Sequence, residues 1–317
     1  MKAAECCRFH LPFGAGTRSI LMKVRVMNVH KIIAGMLVLF SAVAAVSAAG
    51  ARDTAGIPDE IAVISREAGS GTRGAFIELF GVEQTVNGKK VDGTADTADI
   101  TNSTEVVITT VAGNKAAIGY ISLGSLNGTV KAVKIDGADP TVAAVKSGSY
   151  KISRPFNIIT KTVGSSPAAG EFVRYILSAD GQAVIEKNGY ISAVKNPPYL
   201  ANVKTGKVTL AGSSSVFPVM EKLAEAYRLK NPGVTVEVSQ SDSTTGINSA
   251  IQGVCDIGMA SRNPKDSELS QGIRNTVIAV DGIAVIVNRA NPVSDIPKDA
   301  VRKIYTGDVT EWSRLDR

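Results

Sequence analysis

Beyond residue 49 this chain has no histidine. His10 and His30 lie in the first 30 residues with Cys6 and Cys7, which leaves Cys255 as the single downstream cysteine. These absences remove Ser-His and Cys-His nucleophile pairs, imidazole-bound zinc, a cysteine metal site and an internal disulfide from residues 50–317. Two catalytic motifs are also missing, the G-x-S-x-G elbow and S-x-x-K with its partner motifs. Gly81 to Lys89 has the wrong glycine spacing for a P-loop and lacks the Ser/Thr after lysine. No catalytic residue, metal ligand or cofactor is therefore assigned. Aromatic residues are sparse at 5%. Tyr305 and the one tryptophan, Trp312, are expected to pack a core, and Cys255 to be a small buried apolar residue.

Excess charge is equally scarce once the N-terminus is set aside. The formal charge is +6, but residues 1–49 carry six basic side chains against Glu5 alone, so the remainder is close to neutral. Neither a nucleic-acid partner nor an acidic lipid surface is implied. Lys23, Arg25 and Lys31 precede an apolar run, Ile32 to Val46, and Ser47-Ala48-Ala49 supplies small residues. Residues 1–49 thus read as a signal peptide with an upstream extension, started at Met22 or Met27 and cleaved after Ala48 or Ala49. The alternative is an uncleaved membrane anchor, since apolar and small residues continue to Ala51. Either way the protein is expected outside the cytoplasm.

From Ile57 to Leu315 short apolar runs alternate with helical patterns, as in an α/β protein of two lobes or domains. Strands are expected at Ile61–Ile64, Ala117–Ser122, Phe156–Ile159, Val208–Ala211, Val234–Val238 and Gly282–Asn288. Helices are expected at Thr72–Phe80, Ser103–Val111, Pro167–Leu177, Ala179–Asn188, Pro218–Lys230, Gly246–Gln252 and Lys298–Tyr305. Gly81–Asp99 reads as a surface hairpin or loop. Lys195–Lys207, with Asn196-Pro197-Pro198, reads as a linker.

Three Ser/Thr/Gly loops each follow a strand and open a helix. They are Gly69-Ser70-Gly71-Thr72, Gly212-Ser213-Ser214-Ser215 and Ser241-Asp242-Ser243-Thr244-Thr245-Gly246. Taken singly, each is ordinary helix capping. Together they offer backbone N–H groups, hydroxyls and positive helix dipoles, which suit a small tetrahedral oxyanion. Arg66 and Arg262 could add full charge with bidentate geometry. Arg73 reads as a solvent-facing first-turn residue, and Asp256 as a local cap or pair.

These residues, with Asp256-Ile257-Gly258-Met259-Ala260-Ser261-Arg262, Asp281-Gly282-Ile283-Ala284-Val285 and Ile304-Tyr305-Thr306-Gly307, resemble the phosphate-binding proteins that feed the high-affinity phosphate ABC transporter. The resemblance covers nearly all of Ile57 to Leu315, but in an unexpected order. In that family the Gly-Ser-Ser loop opens the mature chain and Gly-Ser-Gly-Thr lies in its second half, whereas here the halves are exchanged. The order implies a circular permutation with residues 195–206 joining the family's usual ends. The rival explanation is a fragment of a tandem array, or a gene-model error, holding half of each of two copies.

The resemblance implies an α/β, two-lobed clamp of the type II periplasmic-binding-protein kind. Lobe I would span 154–288, and lobe II would combine 57–153 with 289–317. The binding positions it implies are Ser214, Ser215, Ser243, Thr244, Arg66, Ser70, Gly71 and Thr72. Arg262 stands where some members place an aspartate that accepts the proton of hydrogen phosphate, which puts phosphate-over-sulfate discrimination in question. The implied partners are inorganic phosphate and an ABC-type permease, with the protein itself a monomer. The alternatives are a binding protein for sulfate, molybdate or tungstate, a Ser-dependent phosphoester hydrolase using Ser70 or Ser215, a protein that kept the fold and lost the ligand, and a domain-swapped tandem fragment.

Overall fold

Strands form where β-branched and apolar residues run together, and the loops that follow them carry the hydroxyl groups singled out above. In a computed structural model, residues 56–203 and 205–315 are described, and the expected signal segment lies outside them. The chain begins with β1 (Ala62–Arg66), α1 (Gly71–Phe80), the hairpin β2 (Glu83–Val86) and β3 (Lys89–Asp92), β4 (Asp99–Thr101), α2 (Thr104–Gly113) and β5 (Ala117–Ser122). Next come β6 (Val130–Ala132), β7 (Lys134–Ile135), α3 (Val142–Ser147), β8 (Ser153–Lys161), α4 (Pro167–Leu177), α5 (Ala179–Lys187) and β9 (Ile191–Ser192). The remainder is β10 (Gly206–Ser213), α6 (Phe217–Lys230), β11 (Val234–Ser241), α7 (Ser243–Gln252), β12 (Ile257–Ala260), α8 (Asp266–Leu269), β13 (Ile273–Asn288), β14 (Asp295–Ile296) and α9 (Lys298–Thr306).

One continuous sheet, in the order β11-β10-β12-β8-β13-β5-β1-β4, runs through both lobes. Parallel β10, β11 and β12 build lobe I, and parallel β1, β4 and β5 build lobe II. The 16-residue β13 joins them, pairing antiparallel with β8 from Ile273 to Gly282 and with β5 from Ile283 to Val287. Residues 283–288 therefore belong to the lobe II sheet. The expected lobe I span, 154–288, thus includes residues that pair within the lobe II sheet, because one uninterrupted strand serves both sheets.

Each lobe has its own core. Lobe I packs Phe172, Tyr175, Leu223 and Tyr227 against Val208, Leu210, Ile257 and Met259. In lobe II, Phe76 stacks on Tyr120 with ring centroids 3.9 Å apart, and Tyr305 meets Phe76 edge-on at 4.5 Å. Such aromatic pairs contribute about 0.5–1.5 kcal/mol each beyond their buried area. Trp312 and Tyr305 are core residues, as expected, and Cys255 is buried.

The segment that begins and the segment that ends the described chain lie side by side. Ile61 N donates to Thr310 O and Trp312 N to Asp59 O, both at 2.8 Å. Residues 196–202 are fastened to lobe I. Asn196 Nδ2 donates to Leu177 O at 2.9 Å, Tyr199 N to Asp180 Oδ2 at 2.7 Å, and Tyr199 Oη to Glu171 Oε1 at 2.6 Å. Burial alone would raise the Glu171 carboxyl. Hydrogen bonds from Tyr199 and the Asn202 N–H, with the Arg174 contact, outweigh it and hold the group below its ordinary range. The hairpin expected within 81–99 is β2–β3, turned by Asn87 and Gly88 at positive φ.

Candidate functional site

The loops after the parallel strands β1 and β10 meet across the two lobes at the strands' carboxyl ends, where open α/β sheets place ligands. From β1 the chain turns through Glu67–Ser70 into α1, whose start is fixed by Ser70 Oγ accepting from Arg73 N at 3.3 Å. The first-turn N–H groups of Gly71 and Thr72 have no acceptor within the helix. From β10 the chain turns through Ser214 and Ser215 into α6. Asp242 caps α7 by accepting from Thr245 N at 2.9 Å, so Ser243 and Thr244 sit in the helix's first turn rather than in a preceding loop. The Asp cap moves the start of this helix three residues ahead of the expected Gly246.

Hydroxyls from the two lobes meet directly. Thr72 Oγ1 lies 2.8 Å from Ser215 Oγ, and Arg66 Nη2 donates to Ser214 Oγ at 3.1 Å. Thr104 adds its N–H to Ser214 Oγ at 3.3 Å and its hydroxyl to Ser215 Oγ at 3.2 Å. On the lobe I side, Ser261 Oγ receives from Ser213 Oγ at 3.0 Å and lies 3.3 Å from Ser243 Oγ. Gly71 closes against this pair. A Cβ added to it would fall 2.5 Å from Ser243 Oγ and 2.8 Å from Ser261 Oγ. At the rim, Thr244 N and Oγ1 both donate to Gly69 O at 3.2 Å.

Arg66 is 2% exposed and is the charged centre of the cluster. Its Nε and Nη2 bind both oxygens of Glu67 at 2.8 and 2.7 Å, which fixes the guanidinium plane and leaves Nη1 and Nη2 turned to Thr104 and Ser214. Its backbone N donates to Tyr120 Oη at 3.2 Å, and Ser65 Oγ lies 2.9 Å from the same oxygen. Burial pushes the Tyr120 phenol up to about 12, so it remains neutral.

The structure thus brings together Arg66, Gly71, Thr72, Ser214, Ser215 and Ser243, with Thr244 at the rim. Ser70 is buried beside them, with its hydroxyl spent on the helix cap. Arg262 lies at the rim, outside the central cluster. Both of its terminal nitrogens bind Glu268 at 2.8 Å, and Nη2 reaches Thr244 Oγ1 at 3.0 Å. Burial favours a neutral Glu268, but the Arg262 and Lys265 N–H bonds outweigh it and keep the carboxyl low. Arg73 is not solvent-facing. It bridges Asp92 Oδ2 at 2.6 Å and Arg66 O at 2.5 Å, tying the β2–β3 hairpin to the site. Asp256 pairs with the neighbouring strand rather than locally, accepting from Thr209 N and Oγ1 at 2.8 Å.

Sequence reasoning missed Thr104 and Glu67, and it placed Ser213 and Ser261 in motifs without naming them as binding positions. Ser103-Thr104 had the same signal as the other loops, hydroxyls at a helix start, but no glycine marked it. The assembled site offers hydroxyls, helix N-termini and one guanidinium to an oxyanion. Among the described residues no group of three or more His, Cys, Asp or Glu is placed to hold a metal ion.

Comparison with known proteins agrees in kind. A model of a PBP superfamily domain matches residues 45–180 and 200–316. A phosphate-binding protein PstS 2 of Streptococcus agalactiae is 58% identical over 258 residues, 81% of this chain and 88% of the relative. The crystal structure of a phosphate ABC transporter phosphate-binding protein from Streptococcus pneumoniae TIGR4 is similar with a TM-score of 0.64 and 42% identity, covering 81% of this chain and 99% of that one. The phosphate-binding protein PstS of Bacillus subtilis matches over a shorter stretch, 31% identical over 113 residues, 35% of this chain and 38% of its own.

Proposed function

We infer, from the fact that the chain belongs to the PBP superfamily and within it to the PstS phosphate-binding proteins, that it captures inorganic phosphate outside the cytoplasm and hands it to an ABC-type permease. The protein binds and does not turn over its ligand. The observation that carries this reading is the meeting of Arg66, Thr72 and Thr104 from one lobe with Ser214 and Ser215 from the other. A tetrahedral dianion accepts several hydrogen bonds at once, and these groups donate from several directions. The N-termini of α1, α2, α6 and α7 add dipolar stabilisation without a protonation requirement.

Closure follows from the topology. The lobes are joined where β8 and β13 cross, so a hinge there opens and shuts the cleft over the ligand. The closed site is largely buried, which strengthens each charge-assisted bond to the anion. Ser70, Gly71 and Thr72 contribute through the start of α1, Ser243 and Thr244 through the start of α7. Arg262 acts at the rim, where Glu268 holds it.

The exchanged order of halves is read as a circular permutation. Asp59–Ile61 and Thr310–Ser313 are hydrogen-bonded neighbours, so an unpermuted chain could run straight across this point. A 258-residue match to the Streptococcus agalactiae relative is longer than either half, whereas the Bacillus subtilis match covers about one half. Both facts favour an inherited order over a chance fragment. On this reading the protein works as a monomer.

The test is isothermal titration of phosphate into the purified protein after bound anion has been stripped. Tight binding of one phosphate per chain by a monomer is the expected outcome. A folded monomer that gives no heat overturns the phosphate reading, and an obligate dimer overturns the permutation.

A further inference from the structure

The chain crosses between the lobes at Ser153–Arg154 in β8 and at Asp281–Gly282 in β13, and these crossings are register partners, Arg154 opposite Asp281 and Ser153 opposite Gly282. Their side chains meet as well. Asp281 Oδ2 accepts from Arg154 Nη2 at 3.2 Å, with both groups almost fully buried. Asp281 Oδ1 accepts from Ser122 Oγ at 2.9 Å, the last residue of β5, and from Gly124 N at 3.4 Å in the turn that follows it, both in lobe II. One carboxylate therefore holds the first residue of lobe I and the end of a lobe II strand. Beside it Tyr190, from lobe I, presses on Gly124, where an added Cβ would sit 2.2 Å from Tyr190 Cζ. A side chain at 124 would require the Tyr190 ring to shift.

Arg154 Nε and Nη1 are buried and lack a protein partner among the described residues, so Asp281 is the counter-charge this arginine depends on. A buried ion pair adds little net stability over apolar packing of the same shape. What it does supply is orientation, because three donors meet one carboxylate at only one lobe angle. The contacts of the oxyanion cluster are those of a closed cleft, and the hinge contacts belong to the same arrangement.

We propose that Asp281 is a positioning residue of the clamp, a hinge latch that joins Arg154 to Ser122 and Gly124 in the closed state and slows release of the ligand. The proposal rests on the anion-clamp reading given above. A ligand that binds the open cleft gains from the latch only after closure, so the latch appears in the release rate and not in the association rate.

Release of labelled phosphate and calorimetric affinity are measured for the parent, Ser122→Ala, Asp281→Asn and the double variant Arg154→Met with Asp281→Leu. Ser122→Ala removes one bond to a charged group and is expected to release phosphate on the order of tenfold faster. Its association rate and ligand-free thermal midpoint should stay at parental values. Asp281→Asn is expected to release faster still. The double variant removes both charges; it should recover thermal stability while keeping fast release. Parental release rates in Ser122→Ala and in the double variant would overturn the latch and leave the cluster a structural feature. A parent that binds no phosphate overturns the clamp reading, and the latch falls with it.

Discussion

Thr72 and Ser215 stand 143 positions apart in the chain and in opposite lobes, yet their hydroxyl oxygens lie 2.8 Å from one another. Each hydroxyl opens a helix, so the contact brings two positive helix ends together. Two like dipole ends held this close call for an anion between or beside them, and Arg66 increases the demand.

Arg66→Ala is expected to weaken phosphate binding by roughly 2–5 kcal/mol, because a buried anion loses its full positive charge and Glu67 loses its partner. Calorimetric titration reads this directly as a loss of about 30-fold or more. Parental affinity in the variant would place Arg66 outside the site.

Gly71→Ala should abolish tight binding with the fold intact. The added methyl would lie 2.5 Å from Ser243 Oγ and 2.9 Å from the Ser261 backbone carbon, and the backbone contact cannot yield by a rotamer change. Far-ultraviolet circular dichroism like the parent's together with lost phosphate heat is the expected pair of results.

Sulfate is expected to compete with phosphate at this site. By the resemblance described above, Arg262 occupies the position where some family members carry a sulfate-rejecting aspartate, and Asp242 spends one oxygen on Thr245 N and the other on Thr245 Oγ1. Hydroxyls and backbone N–H groups donate to either anion alike. Competition titration checks this, and undiminished phosphate affinity in a large excess of sulfate would show that another acceptor discriminates.

Acid stability should fall in part through Glu171. Its native carboxyl is held below the ordinary value, so its contribution is present above the unfolded pKa of about 4.5 and is lost as pH falls through the native value. Glu171→Gln is expected to lower stability at neutral pH and to flatten the acid limb of a denaturation profile. An unchanged acid limb would mean that the linker anchorage contributes nothing there.

Much of this architecture was legible in the residues. Pro167–Leu177 and Ala117–Ser122 match their elements end to end, because proline at a helix start and a largely apolar, fully buried strand leave little choice. Strand lengths were underestimated. The sequence from Ile273 to Asp281 mixes Arg, Asn and Thr with apolar residues, so half of β13 carried no periodic signal. Within the site, glycine-marked loops stood out and Thr104 did not. The commitment of Arg262 to Glu268 depends on a short helix turning back on the loop, a tertiary fact that local sequence does not encode.

The interleaved order of the lobes also fixes a schedule. Lobe I is a single stretch, from Arg154 to Asp281, and can close its core as soon as that stretch has emerged. The lobe II core joins Phe76, Tyr120 and Tyr150 to Ile283, Val301, Tyr305 and Trp312, which are made last. During synthesis from the N-terminus, the first third of the described chain waits with its aromatic face uncovered until the final 35 or so residues arrive. Lobe I should therefore gain protease resistance first, and truncation before Val301 should leave it folded beside an unfinished partner.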